Sequence, residues 1–545
     1  MIEKHLRCLA ASVLALTLAA GAPTAFSADK DKDKDRNNNG NNAETTTPIR
    51  HVVVIFQENI SFDHYFATYP MATNQGNEPK FFAKDGTPRP NNLLTQGLLD
   101  QNPNSTQPFR LDRTQAVTCD QNHDYGPEQA AFNKGLMDKF PENVGFGGGP
   151  NGGAVPPGGK ASCNDAGKGP GITMGYFDGN TVTAFWNYAQ RFAMSDNSFG
   201  TTFGPSTPGA LNLVAGTTSN AMVTNGLSPA GNLAGSQTAG PVIGDPDPSG
   251  DDCASATRTQ ITVGNGQKNI GDLLNAKNIT WGWFQGGFAP SSHTAAGKAV
   301  CGATSVGLPG TITDYSAHHA AFQYFASTLN AHHVPASDPS MIGKTDQAKH
   351  EYDLADFFTA LNEGRLPAVS FLKAKAVNDG HPGNSDPLDE QTFIVNTINQ
   401  LQQSDFWKET AVIIAYDDSD GWYDHQMDPI VNQSAVADDA LTAPGACGVA
   451  PANDPFKGGR CGFGPRLPLL VISPFSKENY IDHLPTDQSS IIHFIEDNWG
   501  LGRIGGDSND ARSGTLNGLF DFENPNKKQF LLDPASGLVL RGGNN

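Results

Sequence analysis

The sequence predicts an α/β protein with a central, mostly parallel sheet flanked by helices. Short apolar runs rich in β-branched residues recur along the chain, and segments with helical spacing lie between them. These runs are continuous rather than alternating, which is typical of strands buried on both faces of a parallel sheet. The alternation of strand and helix is the element order of an α/β domain.

The apolar runs and the helical segments follow one another from residue 51 to residue 499. The predicted strands are residues 51–56, 279–284, 366–372, 411–416 and 467–473. The predicted helices are residues 181–191, 270–277, 352–363, 389–403 and 489–499. Two Gly-rich polar segments, 145–171 and 228–253, are predicted to be long loops, which in a compact domain usually serve function.

Composition excludes several classes of partner. The 545 residues include 36 Lys+Arg against 56 Asp+Glu, for a formal net charge of -20. A chain this acidic is a poor general binder of nucleic acid or of anionic membranes. Only 17% of residues are charged while 60 are Gly and 37 are Pro, which indicates a loop-rich globular protein rather than a coiled coil or a disordered chain.

The N-terminus has the pattern of a secretory signal. Lys4 and Arg7 precede an apolar stretch at 9–20, and small residues follow at Ala25 and Ser27. We predict a signal peptide over residues 1–28, because the apolar stretch is too short to span a bilayer. The protein is therefore expected to be exported, to the periplasm or outside the cell, without stable membrane anchoring. Residues 29–48 are predicted to be a disordered polar tether, and residues 49–545 a single domain.

Six cysteines remain after the predicted signal is removed. In an oxidising compartment an even number of cysteines favours disulfides, although six allow fifteen pairings. Pairing of sequence neighbours is the simplest hypothesis: Cys119–Cys163, Cys253–Cys301 and Cys447–Cys461. A zinc site is the alternative, but no pair has the C-x₂-C spacing.

Acidic and amide side chains follow two of the predicted strands. Glu58 and Asn59 come after the first strand, and Asp417 and Asp418 come after the fourth. Open parallel sheets bind ligands at the carboxyl ends of their strands, so these groups are expected to meet. Such an oxygen-rich set suits a divalent cation. The alternative is that they form turns and helix caps.

A serine and four histidines complete the candidate site. Ser206 lies close to a proline on either side, where a helix can begin, and its hydroxyl is a candidate nucleophile for a metal-assisted reaction. The alternative for Ser206 is a helix N-cap. Histidine can bind phosphate oxygens and protonate a leaving group, although a lone histidine is more often structural. The candidate histidines are His123, His318, His319 and His381.

Four motifs together resemble the bacterial phospholipase C/acid phosphatase family. They are residues 58–66 (ENISFDHYF), 204–208 (GPSTP), 318–319 (HH) and 416–425 (YDDSDGWYDH). The resemblance covers about residues 49–502 in the family's order, and it is closest to the secreted acid phosphatase A branch. It implies an alkaline-phosphatase-like α/β sandwich with the active site at the strand ends.

The resemblance also implies roles for the candidate residues. Ser206 would be the nucleophile and a metal ligand, and the four histidines would surround the phosphate. The other ligands of one divalent metal ion would be Glu58, Asn59, Asp417 and Asp418. Oxygen ligands favour Ca²⁺, Mg²⁺ or Mn²⁺ over zinc. Many members continue the nucleophile turn with Pro-Asn-Arg, whereas this chain has Pro-Gly-Ala at residues 208–210.

The sequence thus predicts a secreted acid phosphatase that hydrolyses small phosphomonoesters through a phosphoseryl intermediate. An acidic optimum is expected, because protonated histidines favour phosphate binding. A phospholipase C that cleaves phosphodiester head groups, such as that of phosphatidylcholine, is the alternative, and the chain's end soon after the catalytic core weakens it. A second alternative is a non-catalytic phosphate- or metal-binding protein.

Overall fold

One sheet runs through the part of the protein that the computed structural model describes, residues 44–145, 165–264, 266–449 and 458–541. In spatial order its strands are β4-β3-β5-β1-β6-β7-β2-β8, and β7 alone runs antiparallel to its neighbours. The predicted α/β class with a mostly parallel sheet is confirmed. The strands are β1 His51–Gln57, β2 Ala193–Ser195, β3 Trp281–Gln285, β4 Glu351–Asp353, β5 Val369–Lys373, β6 Thr410–Tyr416, β7 Leu469–Ile472 and β8 Tyr480–Asp482.

The helices lie before, between and after these strands. In the described ranges they are α1 Phe62–Phe66, α2 Leu93–Gln96, α3 Tyr125–Phe132, α4 Phe140–Asn143, α5 Thr183–Arg191, α6 Ser206–Ala215, α7 Ile270–Ala276, α8 Leu354–Asn362, α9 Pro387–Gln403 and α10 Ser489–Trp499.

Both faces of the sheet are covered by apolar cores. Along β1, Val53 and Ile55 belong to one core, which also contains residues of α5, α8 and α9. Val52 and Val54 belong to the other, which contains residues of α6, α7 and α10. Successive side chains of a strand point to opposite faces, so a strand covered on both sides is apolar at every position. This is why the strand sequences are continuous apolar runs.

The register of β1 and β6 determines which residues meet at the carboxyl ends of the two strands. The two strands pair in parallel from His51 opposite Thr410 to Gln57 opposite Tyr416. The residues that come next along each strand, Glu58 and Asp417, therefore leave the sheet side by side. The strands were predicted separately, and their register is what turns two distant sequence motifs into neighbours.

The ends of the chain and the cysteines bear on several predictions. The predicted signal peptide and residues 29–43 lie outside the described residues. The predicted tether extends too far, because Thr46 and Thr47 hydrogen-bond to Asn498 of α10 at 2.9 and 3.2 Å. The disulfides Cys253–Cys301 and Cys447–Cys461 are confirmed, whereas Cys163 of the third predicted pair is outside the described residues. Across those residues, every helix is too short or too polar to cross a membrane.

The two Gly-rich segments differ from the prediction of long loops. Residues 146–164 of the first lie outside the described residues. The second contributes the short strands Ala239–Gly240 and Asp247–Pro248 to a four-stranded sheet with Ala221–Val223 and Gln260–Val263. The predicted loop is therefore partly a small sheet, whose two-residue strands are too short to leave a periodic pattern in the sequence. The boundaries of the predicted single domain remain a prediction.

A buried glutamate joins α9 to β6. Glu390 is fully buried and accepts hydrogen bonds from the hydroxyl groups of Tyr65 and Tyr416, each at 2.7 Å. Burial raises the pKa of Glu390 from an ordinary value of 4.5 to about 8. The folded protein therefore keeps a proton on this carboxyl group that the unfolded chain has already released at neutral pH.

Replacing Glu390 by glutamine is expected to flatten the pH dependence of stability. Because the folded-state pKa is raised, the stabilising proton is fully present below about pH 4.5 and its contribution is lost as pH rises to about 8. Between pH 5 and 8 the wild-type protein should lose on the order of 3 kcal/mol in its free energy of unfolding because of this group, and Glu390→Gln should not show that loss. Denaturant unfolding at several pH values measures it. The exposed Glu523→Gln is the control, and an unchanged slope in Glu390→Gln would contradict the prediction.

Candidate active site

Ser206 is the first residue of α6, and its hydroxyl faces two carboxylates. The Oγ atom lies 3.0 Å from Glu58 Oε2 and 3.3 Å from Asp418 Oδ2. The side chain is buried, and it lies at the N-terminal, electropositive end of a ten-residue helix. These surroundings place a hydroxyl between two proton acceptors at a point where negative charge is stabilised.

The alternative of Ser206 as a helix cap is wrong. Pro205 occupies the N-cap position, and no side chain at that position caps the helix. The backbone N–H of Thr207 instead donates to Asp245 Oδ1 at 2.9 Å. Asp245 comes from the second Gly-rich segment, and the sequence analysis missed it. Because Asp245 caps the helix, the Ser206 hydroxyl is left to interact with Glu58 and Asp418.

Gly209, where many family members have asparagine, packs against the strand end that carries the acidic pair. A Cβ atom at this position would lie 2.3 Å from the backbone oxygen of Asp417 and 2.7 Å from its carbonyl carbon. The helix therefore packs directly on the backbone that carries Asp417 and Asp418. Only glycine permits this approach, which sets the distance between Ser206, one turn earlier, and the acidic residues.

Replacing Gly209 by alanine is expected to push α6 away from Asp417. The clash involves backbone atoms, which cannot rotate aside, so we expect a loss of about 1–3 kcal/mol in the free energy of unfolding. A displacement of Ser206 by about 1 Å would lower turnover roughly 100-fold. Phosphatase assays and thermal unfolding measure the two effects. Gly302→Ala is the control, since its nearest atom lies at an ordinary 3.4 Å. Wild-type activity in Gly209→Ala would contradict the prediction.

The oxygen-bearing side chains after β1 and β6 do meet. The backbone N–H of Asn59 donates to Asp417 Oδ1 at 3.0 Å, and Asn59 has a left-handed φ of 63°, which asparagine tolerates. Its Nδ2 donates to Asp420 Oδ1 at 3.1 Å. Asn59 Oδ1 and Asp417 Oδ2 are buried and accept no hydrogen bond. Two orphaned buried oxygens in an acidic cluster fit a hard divalent cation.

The pKa values of the acidic residues also favour a bound cation. Burial raises the pKa of Glu58 well above its ordinary value, and the Asp417 charge adds to the effect. Burial and the Asp417 charge also raise the pKa of Asp418 well above its ordinary value. Carboxylates that repel one another in a buried place are stabilised by a cation between them.

Other groups of side chains at the site could also bind a metal ion. Among the described residues, two sets within the site have ligand atoms within 4.8 Å of one another: Glu58, His319 and Asp379, and Asp120, His123 and His381. The set predicted from the sequence shares only Glu58 with the first of these. The predicted ligand set of Glu58, Asn59, Asp417, Asp418 and Ser206 therefore remains a prediction that the orphaned oxygens favour.

Lys373 is a buried cation that the sequence analysis missed. It is the last residue of β5, it is 1% exposed, and its Nζ forms an ion pair with Glu58 Oε1. A lysine directly after a buried apolar run is the signal that could have identified it. Arg258 is a second missed cation, with Nη1 3.1 Å from His318 Nδ1.

All four predicted histidines lie at the site. His319 Nδ1 is 3.1 Å from Glu58 Oε1, and the rings of His318 and His319 are 4.3 Å apart. His123 Nδ1 is 3.3 Å from Asp420 Oδ1, and its ring centroid is 6.0 Å from that of His381. The structure thus brings the four together from three separate segments of the chain.

The histidines do not form a uniformly protonated ring. Burial lowers the pKa of His318 to about 3 and that of His319 well below its ordinary value. Burial also disfavours the cation of His123, but the Asp418 and Asp420 charges outweigh it and raise its pKa well above the ordinary value. The reason given for an acidic optimum is therefore wrong for His318 and His319. The positive charge comes from His123, Lys373 and Arg258.

The family model "Phosphoesterase family" matches residues 49–502. A non-hemolytic phospholipase C of Pseudomonas aeruginosa is 24% identical over 499 residues, covering 88% of this chain and 58% of that protein. Phospholipase C B of Mycobacterium tuberculosis is 24% identical over 471 residues, covering 84% of this chain and 74% of that protein. The chain thus spans little more than half the length of the Pseudomonas relative.

Solved structures show weaker likeness. Murine ectonucleotide pyrophosphatase/phosphodiesterase 5 matches with a TM-score of 0.32 and 8% identity, covering 62% of this chain and 95% of that one. A Vibrio parahaemolyticus protein described as in the alkaline phosphatase superfamily matches with a TM-score of 0.27 and 11% identity, covering 67% and 77%. At such scores neither likeness carries an argument.

Proposed function

Because the chain belongs to the Phosphoesterase family, we propose that it hydrolyses phosphomonoesters with Ser206 as the nucleophile. The observation that carries the proposal is the position of Ser206 Oγ, buried at the start of α6 and within 3.3 Å of Glu58 and Asp418. A serine held in this way is suited to in-line attack on phosphorus. A structural serine would not need two carboxylates facing it.

In the proposed mechanism, the Ser206 hydroxyl gives its proton to one of the two carboxylates that accept its hydrogen bond, Glu58 or Asp418. Ser206 Oγ attacks phosphorus while the ester P–O bond breaks, which leaves a phosphoseryl group. The leaving alkoxide takes a proton, for which His123 is the candidate donor. Water then attacks the phosphoseryl group, giving one proton to His123 and its hydroxyl to the released phosphate, while the serine oxygen takes back the proton held by the carboxylate. His318, His319 and His381 orient the phosphoryl oxygens by hydrogen bonding.

A divalent cation, held by Glu58, Asn59, Asp417, Asp418 and Ser206, would supply charge neutralisation and lower the pKa of the Ser206 hydroxyl. Glu58 and Asp418 hydrogen-bond to this hydroxyl and fix its direction. The oxygen donors favour Ca²⁺, Mg²⁺ or Mn²⁺ over zinc.

The charges near Ser206 support a monoester substrate. Lys373 pairs with Glu58 and His123 pairs with Asp420, so two cations border the acidic cluster. A phosphomonoester carries one more negative charge than a diester near neutral pH, and it gains more from them. Small phosphorylated molecules are therefore the proposed substrates.

Phospholipase C activity is the second candidate, and the names of the curated relatives favour it. The test compares kcat/KM on p-nitrophenyl phosphate with that on p-nitrophenylphosphorylcholine from pH 4 to 9. A preference for the monoester of at least about tenfold supports the first candidate, and the reverse preference supports the second. Absence of turnover on both substrates, in protein supplied with divalent ions, would favour a non-catalytic binding protein.

Export is part of the proposal. The predicted signal peptide over residues 1–28 and the two confirmed disulfides support an oxidising compartment. Mass spectrometry of the purified protein tests it, because cleavage after residue 27 or 28 is expected.

A further inference from the structure

Lys373 occupies a position that a metal ion would otherwise suit. Its side chain comes from the end of β5, the strand next to β1, and reaches the Glu58 carboxylate that follows β1. Burying a lysine is costly unless the charge is paired and hydrogen-bonded. A lysine kept 1% exposed beside the nucleophile's own hydrogen-bond acceptor therefore needs a reason beyond solubility.

Three side chains that could ligate a cation lie near this ammonium group. Glu58, His319 and Asp379 have ligand atoms within 4.8 Å of one another, and all three are buried. His319 Nδ1 lies 3.1 Å from Glu58 Oε1, the same oxygen that pairs with Lys373. Asp379 Oδ2 is buried and accepts no hydrogen bond, and Asp379 interacts electrostatically with Lys373. These three side chains could together bind a metal ion. In this structure the positive charge beside them is the Lys373 ammonium group instead.

Glu58 has a separate role for each oxygen. Oε2 accepts from Ser206 at 3.0 Å, on the side where Asp418 also lies, and Oε1 faces Lys373 and His319. In two-metal phosphoesterases a pair of cations about 3.5–4 Å apart stabilises the attacking and leaving oxygens. Here one carboxylate lies between the predicted metal position and a lysine.

We propose that the Lys373 ammonium group takes the place of a second metal ion, so that the protein binds one divalent ion per chain at this site. The inference rests on the proposed function, and it adds that the second positive charge beside the nucleophile comes from Lys373. An ammonium group is a compact charge with three hydrogen-bond donors, and unlike a metal ion it cannot be removed by chelation. It favours a doubly charged phosphoryl group over a phosphodiester.

The first test counts bound ions without measuring turnover. Wild-type protein, Lys373→Ala and the control Lys375→Ala are dialysed against Mn²⁺, and the metal is measured by mass spectrometry. We expect one ion per chain in wild type and control, and two in Lys373→Ala, because Glu58, His319 and Asp379 become free to bind. Lys375 is a matched control, since it is two residues away and pairs with Asp314 and Ser305 at 3.0 Å outside the site. Two ions in wild type, or one in a folded Lys373→Ala, would overturn the inference.

The second test replaces the lost charge. Turnover of p-nitrophenyl phosphate by Lys373→Ala should fall about 100-fold, and ethylammonium should restore at least about tenfold of it while tetramethylammonium should not. If Lys373 only balanced the charge of Glu58, ethylammonium and tetramethylammonium would have the same effect on turnover. If Lys373→Ala does not fold, the volume-conserving Lys373→Met takes its place. The number of ions bound by the wild-type protein tests the inference in either case. If wild type has no activity but binds one ion, the proposed function fails while the charge assignment stands.

Discussion

Replacing Ser206 by alanine is expected to lower turnover of p-nitrophenyl phosphate by at least about 10³-fold, the largest effect of any single change in the chain. In the proposed mechanism the Ser206 hydroxyl oxygen is the atom that attacks phosphorus, and alanine has no atom that could replace it. The change removes one buried oxygen and leaves α6 intact, because the helix is capped by Asp245. The fold and the affinity for inorganic phosphate should remain near wild type.

The covalent intermediate gives a second measurement for the same residue. Acid quenching during turnover should leave a phosphate on Ser206 that peptide mass spectrometry detects in wild type and not in Ser206→Ala. Ser219→Ala, a serine beyond the end of α6, is the control and should retain wild-type turnover. Ser206→Ala protein that keeps near-normal turnover would remove Ser206 from the mechanism.

Removal of divalent ions is expected to abolish activity, and readdition should restore it. The acidic residues at the ends of β1 and β6 repel one another, and Asn59 Oδ1 and Asp417 Oδ2 are left without hydrogen bonds. Dialysis against a chelator should lower turnover by more than about 100-fold. Mg²⁺, Mn²⁺ and Ca²⁺ added singly then identify the ion that supports turnover.

Asp417→Asn separates loss of the ion from loss of the fold. The change keeps the shape of the side chain but removes its charge, so we expect the affinity for the ion to fall about 10- to 100-fold and saturating metal to recover part of the activity. The exposed Asp405→Asn is the control. Full activity after exhaustive chelation, with no metal detected in the protein, would show that the acidic cluster serves another purpose.

The sequence predicted the central strands and the main helices because their burial leaves a strong pattern. β1 and β6 were predicted within one residue, and α10 was predicted at its observed bounds of Ser489–Trp499. β2, β4 and β8 were missed, because three residues are too few to show periodicity. The antiparallel direction of β7 was also unpredictable, since its apolar run is the same for either direction.

The candidate site was predictable where a strand end coincides with a run of polar residues. Glu58, Asn59, Asp417 and Asp418 follow long buried strands, and the rule for strand ends brings them together. Lys373 was missed because a single charge after a strand is more often a solvated end than a buried group. Asp245 was missed because it reaches Thr207 from a segment without pattern, and only the three-dimensional path of that segment shows the contact.

The pairing of β1 with β6 also governs when the site can form. The hydrogen bond from Asn59 to Asp417 joins residues 358 positions apart, so Asn59 is synthesised long before its partner. Closing so long a loop is slow compared with forming local helices. A nascent chain that has not yet reached residue 417 has Glu58 and Ser206 but not the strand that brings the acidic pair beside them. The acidic cluster can therefore form only after synthesis has passed Asp418, and formation of the cluster reports that β6 has joined the sheet.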